Sequence, residues 1–282
     1  MVFDIARLHL PVETYMLTPY ETVEYDHLSH LLLGDCMRRF GFDYPVAPLP
    51  GRNSTAVLGY TILYRRYGLT DDAEARTWGY HRPRQTPSTR SRGATATGKK
   101  LMDYPPAARL VLLGAASTAH KVVQTPSGER TVPPGGCAGE AYRRLESSSA
   151  SPQGPGSEPG GLVSRIKRKS FADSMHDSRV TTVFHAWASC MKSHGYEVRS
   201  PLQVTADLAS IRSPAPSAEE ISRAVADTAC KKDTNLAGVW YAVESDYQKA
   251  AITENRSALA AIKNKVEAQA AVIRRLANSR HL

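Results

Sequence analysis

Apolar positions recur at spacings of three and four along much of this chain, which indicates helices packed against a core. The first such stripe follows Thr18–Glu21 and has four members, Tyr25, Leu28, Leu32 and Cys36. A threonine cap, a proline at the first helical position and a glutamate at the third are typical of a helix start. Gly41 predicts the end of this helix, because glycine readily adopts the left-handed conformation that closes helices.

Shorter patterns fill the residues after the first helix. Asp71–Trp78, with Thr70 as its cap, predicts a short helix whose acidic first turn suits the helix dipole. The apolar run Leu110–Leu113 predicts a buried strand. His120–Gln124 and Glu129–Val132 predict the two strands of a small hairpin.

The later part of the chain predicts further helices. One spans residues 173–194 and ends at Gly195. Ser217 and Glu220, three residues apart, predict a capping box at the start of a helix that carries Cys230.

From residue 235 onward the pattern predicts a long helix, because this part contains no proline and a single glycine. Eight positions alternate spacings of three and four, as in the seam of a coiled coil: Ile252, Asn255, Leu259, Ile262, Val266, Gln269, Ile273 and Leu276. Two interpretations are open. The helix forms a coiled coil with a partner, which would allow an oligomer, or it folds back on its own domain.

One short motif occurs twice. Cys36–Asp43 and Cys190–Glu197 both read Cys-Met-basic, two free positions, Gly, aromatic, acid, and each is followed by one more cysteine, Cys137 or Cys230. Four cysteines allow three connectivities, and the repeat favours pairing within each half, Cys36 with Cys137 and Cys190 with Cys230. A zinc site is the disfavoured alternative, because none of the spacings resembles Cys-x-x-Cys.

These patterns predict a mainly α protein with a small β insertion, built from two related disulfide-stapled helical halves and a long carboxy-terminal helix. The clearest boundary is residues 146–161, of which twelve are Ser, Gly or Pro, so that a flexible linker is expected there. We divide the chain into a first cysteine-pair half (10–145), the linker with its basic end (146–170), a second half (171–234) and the final helix (235–282).

The net charge of +9 indicates an acidic partner or a basic surface that is simply solvated. Residues 82–100 contain six Lys or Arg and no acid, so an exposed basic loop is expected. Trp78, Tyr80 and Tyr104 near this loop would let single-stranded nucleic acid stack, which is the less favoured interpretation. No apolar run approaches the roughly 20 residues that span a bilayer, so no transmembrane segment is expected.

Few residues form a pattern that indicates catalysis or metal binding. Glu24, His27 and His30 recur at every third position of the first helix, and they form the candidate site if the chain is an enzyme acting on cell-wall or small-molecule substrates. Cys137, near a predicted helix start, is a candidate thiol nucleophile that the pairing of all cysteines disfavours. Since the sequence has neither a P-loop nor a Gly-x-Ser-x-Gly motif, no cofactor or metal is expected.

Several short segments resemble a loose group of actinobacterial exported proteins, often lipoproteins, to which no activity is assigned. Besides the two copies of the Cys-Met motif, the segments are Leu10–Pro11 with Tyr15, Arg66–Leu69, Gly79–His81 and Val132–Ala141. Together they span most of residues 10–250. The resemblance implies a location outside the membrane and paired cysteines, and it carries no catalytic residue.

The cysteine pairs and the start of the sequence point to different compartments. Paired cysteines predict a disulfide framework, which persists in oxidising compartments, whereas residues 1–10 show no secretory signal. We expect that the sequence as printed omits an export signal; the alternative is a cytoplasmic protein with free thiols. The expected function is a non-catalytic extracellular or cell-envelope scaffold that binds a protein partner or an anionic wall polymer. The alternatives are the enzyme with Glu24, His27 and His30, and a cytosolic nucleic-acid-binding protein.

Overall fold

The structure, a computed structural model, describes residues 8–83, 101–114, 121–145, 154 and 156–282. In these residues the helices are α1 (Pro19–Arg39), α2 (Thr55–Leu58), α3 (Asp72–Trp78), α4 (Pro106–Leu113), α5 (Gly136–Arg144), α6 (Leu162–Ser174), α7 (Ser178–Ser193), α8 (Ala218–Asp233), α9 (Leu236–Glu254) and α10 (Arg256–Ser279). Strands β1 (Lys121–Thr125) and β2 (Gly128–Val132) pair antiparallel. The predicted fold class, mainly α with a small β insertion, is therefore confirmed, and so is the hairpin, although His120 lies outside the described residues.

The chain divides into two compact units that interleave along the sequence, and we name each after a cysteine that it contains. The Cys36 unit consists of the described parts of Tyr15–Tyr60, Thr86–Gly161 and Ala260–Leu282. The Cys190 unit consists of the described parts of Met1–Thr14, Thr61–Gln85 and Leu162–Leu259. Each unit holds one disulfide. Because residues 61–83 pack with the second cysteine pair, the units differ from the contiguous halves drawn from the sequence.

Helix α1 begins as the sequence predicts, and its buried stripe contributes to the core of the Cys36 unit. The Thr18 hydroxyl accepts a hydrogen bond from the N–H of Glu21 (3.2 Å), and the Glu21 carboxylate accepts one from the N–H of Thr18 (3.0 Å). The predicted capping box is therefore present. The stripe joins residues of α5 and α10 in one apolar cluster that includes Tyr25, Leu28, Leu32, Leu145, Val266 and Ile273.

Most of helix α10 belongs to the Cys36 unit and packs there, whereas α9 belongs to the Cys190 unit. The long predicted helix is interrupted at Asn255, between α9 and α10. The seam residues Val266, Gln269 and Ile273 are buried, and Val266 and Ile273 belong to the same apolar cluster as the stripe of α1. Part of the seam is thus covered within the Cys36 unit, as the second interpretation expects, and pairing of the helix with a partner stays a prediction.

The two copies of the Cys-Met motif close their helices in the same way. In the first copy Gly41 has φ +77°, and the N–H of Phe42 donates to the carbonyl of Met37 (3.0 Å). In the second copy Gly195 has φ +85°, and the equivalent hydrogen bond ends on the carbonyl of Met191 (3.0 Å). Both methionine side chains are fully buried. The repeat is therefore a helix end that places a cysteine and a core methionine just before a left-handed glycine.

Alanine at these two glycines should reduce stability by different amounts. Gly195→Ala should lower the free energy of unfolding by about 1 to 2 kcal/mol, the cost of a left-handed conformation for a residue with a Cβ, since no atom lies within 4 Å of the added Cβ. Gly41→Ala should cost more, because its Cβ would lie 2.6 Å from Oγ and 2.9 Å from the backbone nitrogen of Ser127. Urea unfolding of both variants measures the difference, and equal losses would contradict this role of the two glycines.

Residues 110–113 form the end of helix α4, so the predicted buried strand Leu110–Leu113 is wrong. Pro106 occupies the start of the helix, where proline is favoured. Ala108, Val111 and Leu112 are buried at helical spacing, whereas Leu113 is 50% exposed. A short apolar run fits a strand and a helix equally well, and here the flanking prolines and alanines favour the helix.

Three other helix starts also differ from the prediction. Residues 173–194 are not one helix, because α6 ends at Ser174 and Asp177 caps α7 by accepting a hydrogen bond from the N–H of Arg179 (2.9 Å). Helix α6 begins at residue 162, in what was expected to be the basic end of the linker. The cap of α3 is Asp71 rather than Thr70, because the aspartate carboxylate accepts the hydrogen bond at that helix start (2.8 Å).

Much of the basic loop and of the linker lies outside the described residues. Residues 84–100 and 146–153 are in this group, so the expectations for them stay predictions. Among the helices that are described, none combines the length and the apolar composition needed to cross a membrane.

Candidate functional site

All four cysteines form disulfides, and the pairing is the predicted one. Cys36, near the end of α1, is bonded to Cys137 in the first turn of α5, with their Cα atoms 5.6 Å apart. Both residues are fully buried in a cluster that includes Met37 and Phe40. Because its sulfur is bonded and closed to solvent, Cys137 cannot serve as a thiol nucleophile in this state, and that alternative is wrong for the oxidised protein.

The second disulfide lies nearer to solvent. Cys190, near the end of α7, is bonded to Cys230 of α8, with their Cα atoms 5.7 Å apart. Cys230 is fully buried, but Cys190 is only half-buried. His194 caps the end of α7 with an exposed side chain, and its ring nitrogen lies within 4.8 Å of both sulfurs. Among the described residues, Cys190, Cys230 and His194 form the one group of three or more potential metal donors whose ligand atoms all lie this close together.

The structure does not gather Glu24, His27 and His30 into such a group. His27 is buried, and burial lowers the pKa of its imidazole. The Nδ1 atom of His30 lies 2.9 Å from the hydroxyl of Tyr44, and the two rings stack. Burial also lowers the pKa of His30 and raises that of the Glu24 carboxyl. His27 is thus buried and His30 is partly buried and bonded to Tyr44, an arrangement that gives the enzyme interpretation no support.

The Cys190 unit contains a buried carboxylate that the sequence pattern did not reveal. Glu244 of α9 is fully buried, and the Arg66 guanidinium donates to both of its oxygens, with Nε 2.8 Å from Oε2. The Tyr67 hydroxyl (2.9 Å), the Gln248 amide (3.0 Å) and the Ser170 hydroxyl (3.2 Å) donate to the same carboxylate. Burial and the adjacent carboxylate raise the pKa of Tyr67, so its hydroxyl keeps the proton that it donates.

Asp227 of α8 is a second buried acid with charged and polar partners. Its carboxylate accepts hydrogen bonds from the indole N–H of Trp187 (2.9 Å) and from the ammonium group of Lys231 (2.8 Å). Lys231 also donates to the carbonyl of Leu69 (3.0 Å). Burial raises the pKa of Asp227 even though the ammonium group favours the charged form.

Glu220 is the third buried acid, and it also corrects a prediction. Ser217 caps α8 by accepting from the N–H of Glu220 (3.1 Å), as predicted. The Glu220 carboxylate, however, accepts from the N–H of Tyr80 (2.9 Å) and lies 2.7 Å from Nδ1 of His81. Nε2 of His81 lies 2.9 Å from the carbonyl of Ser213. Because the carboxylate has these partners, only half of the expected capping box forms.

His81 should make the stability of the Cys190 unit depend on pH. Its bonds to Ser213 and Glu220 raise its pKa above 6.5. The folded protein therefore binds this proton more tightly, so the stabilisation is complete below the unfolded pKa of about 6.5 and is lost as the pH rises through the folded pKa. The difference in urea midpoint between the wild type and His81→Gln should shrink as the pH rises from the unfolded pKa of about 6.5 through the folded pKa. A difference that is constant with pH would contradict this role.

Two short segments supply partners for these buried charges. Arg66–Leu69 and Gly79–His81 contribute the guanidinium, the tyrosine hydroxyl, the imidazole and the backbone groups that bond to side chains of α8 and α9. Gly68 has φ +83°, and a Cβ there would lie 2.6 Å from Nζ of Lys231.

The fold and these sites define a mainly helical protein in which each of two compact units contains one disulfide. No family model, curated protein or solved structure matches the chain. What the protein does is therefore inferred from its own residues and geometry.

Proposed function

We propose that this chain is a non-catalytic binding protein that works outside the cytoplasm, at the cell envelope or beyond it, and attaches to an anionic wall polymer. The observation that carries the proposal is the use of all four cysteines in two disulfides, which indicates an oxidising environment. The resemblance to exported proteins supports the same location. The burial of His27 and the bonding of His30 support a scaffold rather than an enzyme.

The solvent face of α6 is the surface best suited to an anionic polymer. Arg165, Arg168 and Lys169 are exposed on this helix, at spacings that place them on one side, and Lys169 also pairs with Asp173 (2.7 Å). The opposite side is buried through Val163 and Ile166. Since the chain as a whole carries a net charge of +9, this face lies in a favourable field for phosphate or carboxylate groups.

Sedimentation with isolated cell walls of the source organism tests the proposal. The wild-type protein should pellet with the walls, and soluble polyphosphate or raised salt should release it, because the attraction is between exposed charges. The triple variant Arg165→Glu, Arg168→Glu and Lys169→Glu should bind at least about tenfold more weakly, as expected when exposed charges that contact a polyanion are reversed.

A control variant with the same number of reversed charges at other positions distinguishes the role of this surface from the effect of net charge. Lys192, Arg199 and Lys232 are exposed cations outside α6, and their replacement by glutamate changes the net charge by the same amount. This control should keep most of the binding. Equal losses in both variants, or no binding by the wild type, would overturn the proposed surface.

A further inference from the structure

We infer that the Cys190–Cys230 disulfide is a reducible site that, once opened, binds a soft divalent cation such as Zn²⁺ through Cys190, Cys230 and His194. This inference goes beyond the proposed function and does not depend on it. The observations behind it are the position of His194, the exposure of Cys190, and the contrast with the first disulfide.

The three potential donors lie close together. Cys190 and His194 are four residues apart at the end of α7, so they lie on one side of that helix, and Cys230 comes from the neighbouring α8. The two sulfurs and the imidazole nitrogen all lie within 4.8 Å of one another. Zn²⁺ bonds thiolate sulfur at about 2.3 Å and imidazole nitrogen at about 2.0 to 2.1 Å, so rotation of these side chains suffices to enclose the ion.

Charge and solvent access also suit a divalent cation. Two thiolates and one neutral imidazole would balance the charge of the ion. Cys190 is half-buried and His194 is exposed, so the fourth coordination position faces solvent and can hold water. The sequence signal for this site was Cys190 followed by His194 at a helical spacing, which a search for Cys-x-x-Cys does not find.

A dithiol reductant opens this site by thiol–disulfide exchange. One thiolate of the reductant attacks the sulfur of Cys190, the more accessible one, forms a mixed disulfide and releases Cys230 as a thiolate. The second thiol then attacks the mixed disulfide, releases Cys190 and leaves the reductant as a disulfide. Two electrons pass from the reductant to the protein, and the two thiol protons pass to the cysteines or to solvent. Zn²⁺ binding displaces these protons.

The first disulfide lacks both features. Cys36 and Cys137 are each fully buried, so a reductant cannot reach either sulfur without opening the unit. At the position equivalent to His194 the first copy of the motif has Phe40, which packs in the same cluster as the disulfide and offers no donor atom. Within one chain, two copies of the same motif therefore differ at the residue that decides metal binding.

The test begins with the full chain and dithiothreitol, without denaturant. Alkylation followed by mass analysis of peptides should show label on Cys190 and Cys230 and none on Cys36 or Cys137. After removal of the reductant without oxygen, titration with Co²⁺ should show one ion per chain, with the absorption of a tetrahedral thiolate site, and Zn²⁺ should displace it. The untreated protein should show no such absorption, because its sulfurs are bonded to each other.

Two variants test the contribution of His194. His194→Phe copies the first motif and, being at an exposed position, should leave the fold intact; its affinity for Co²⁺ should fall by at least about tenfold, as for the loss of a metal partner. His185→Phe changes another exposed histidine of α7, outside the donor group, and should bind as the wild type does. Equal Co²⁺ affinity in wild type and His194→Phe, no Co²⁺ uptake after reduction, or simultaneous labelling of all four cysteines would overturn the inference.

Discussion

Replacing Cys36 and Cys137 together by alanine is expected to destabilise the Cys36 unit strongly. Their sequence separation is 101, and the chain-entropy model gives about 4.7 kcal/mol for closing a loop of this length. The same pair of substitutions at Cys190 and Cys230, whose separation is 40, should cost about 3.9 kcal/mol. Since the first pair is fully buried, loss of its sulfur atoms also leaves unfilled space, which increases the difference.

Urea unfolding followed by circular dichroism in the far ultraviolet measures both losses. Circular dichroism suits the first variant because Trp78, Trp187 and Trp240 all belong to the Cys190 unit, so their fluorescence reports on that unit. Removing both cysteines of a pair avoids leaving a reactive thiol. A smaller loss for the first pair than for the second would contradict the dependence of stability on loop length and burial.

Glu244→Ala should lower the free energy of unfolding by about 3 to 5 kcal/mol, because it leaves a guanidinium without its carboxylate inside the Cys190 unit. Arg66 is 13% exposed, and after the substitution its main remaining acceptor is the carbonyl of Lys167 (2.8 Å). The hydroxyl of Tyr67 would lose its acceptor as well. Tryptophan fluorescence during urea unfolding reports this loss directly, since Trp240 packs against Tyr67 with ring centroids 5.0 Å apart.

Two controls distinguish a buried ion pair from an ordinary surface acid. Glu254→Ala changes an exposed acid of the same helix and should alter stability by no more than about 0.5 kcal/mol. The double variant Arg66→Met and Glu244→Leu removes both charges and should lose less stability than Glu244→Ala alone, because no unpaired charge is left behind. If Glu244→Ala matched Glu254→Ala, the role assigned to this network would be wrong.

Local signals made part of this fold predictable. The cap at Thr18 depends on residues three apart, and the cysteine pairing follows from a motif that the chain repeats. Hydrogen-bonded helix ends at Gly41 and Gly195 confirm that the repeat is a structural unit. Not every local signal held, since the cap predicted at Thr70 is Asp71 and the carboxylate of Glu220 bonds to Tyr80 instead of completing its capping box.

The buried charges could not be predicted in the same way. Glu220, Arg223, Asp227 and Lys231 of α8 follow helical spacing, and such a charged stripe usually indicates a solvated face. All four are buried, with exposed fractions of 0, 7, 0 and 3%. Several of their partners lie in the loop of residues 61–83, more than a hundred positions earlier in the chain, so the sequence near α8 contains no sign of them. The strand predicted at residues 110–113 was wrong because a short apolar run indicates burial but does not distinguish a strand from a helix.

The intact mass of the protein purified from its native host, with and without reduction before alkylation, tests the central claim most directly. In denaturant, an exported disulfide scaffold should take up alkyl groups on all four cysteines only after reduction, because all of them are paired. Uptake of four alkyl groups without reduction would mean free thiols in a reducing compartment. That result would contradict the oxidising location and, with it, the proposed function at the envelope.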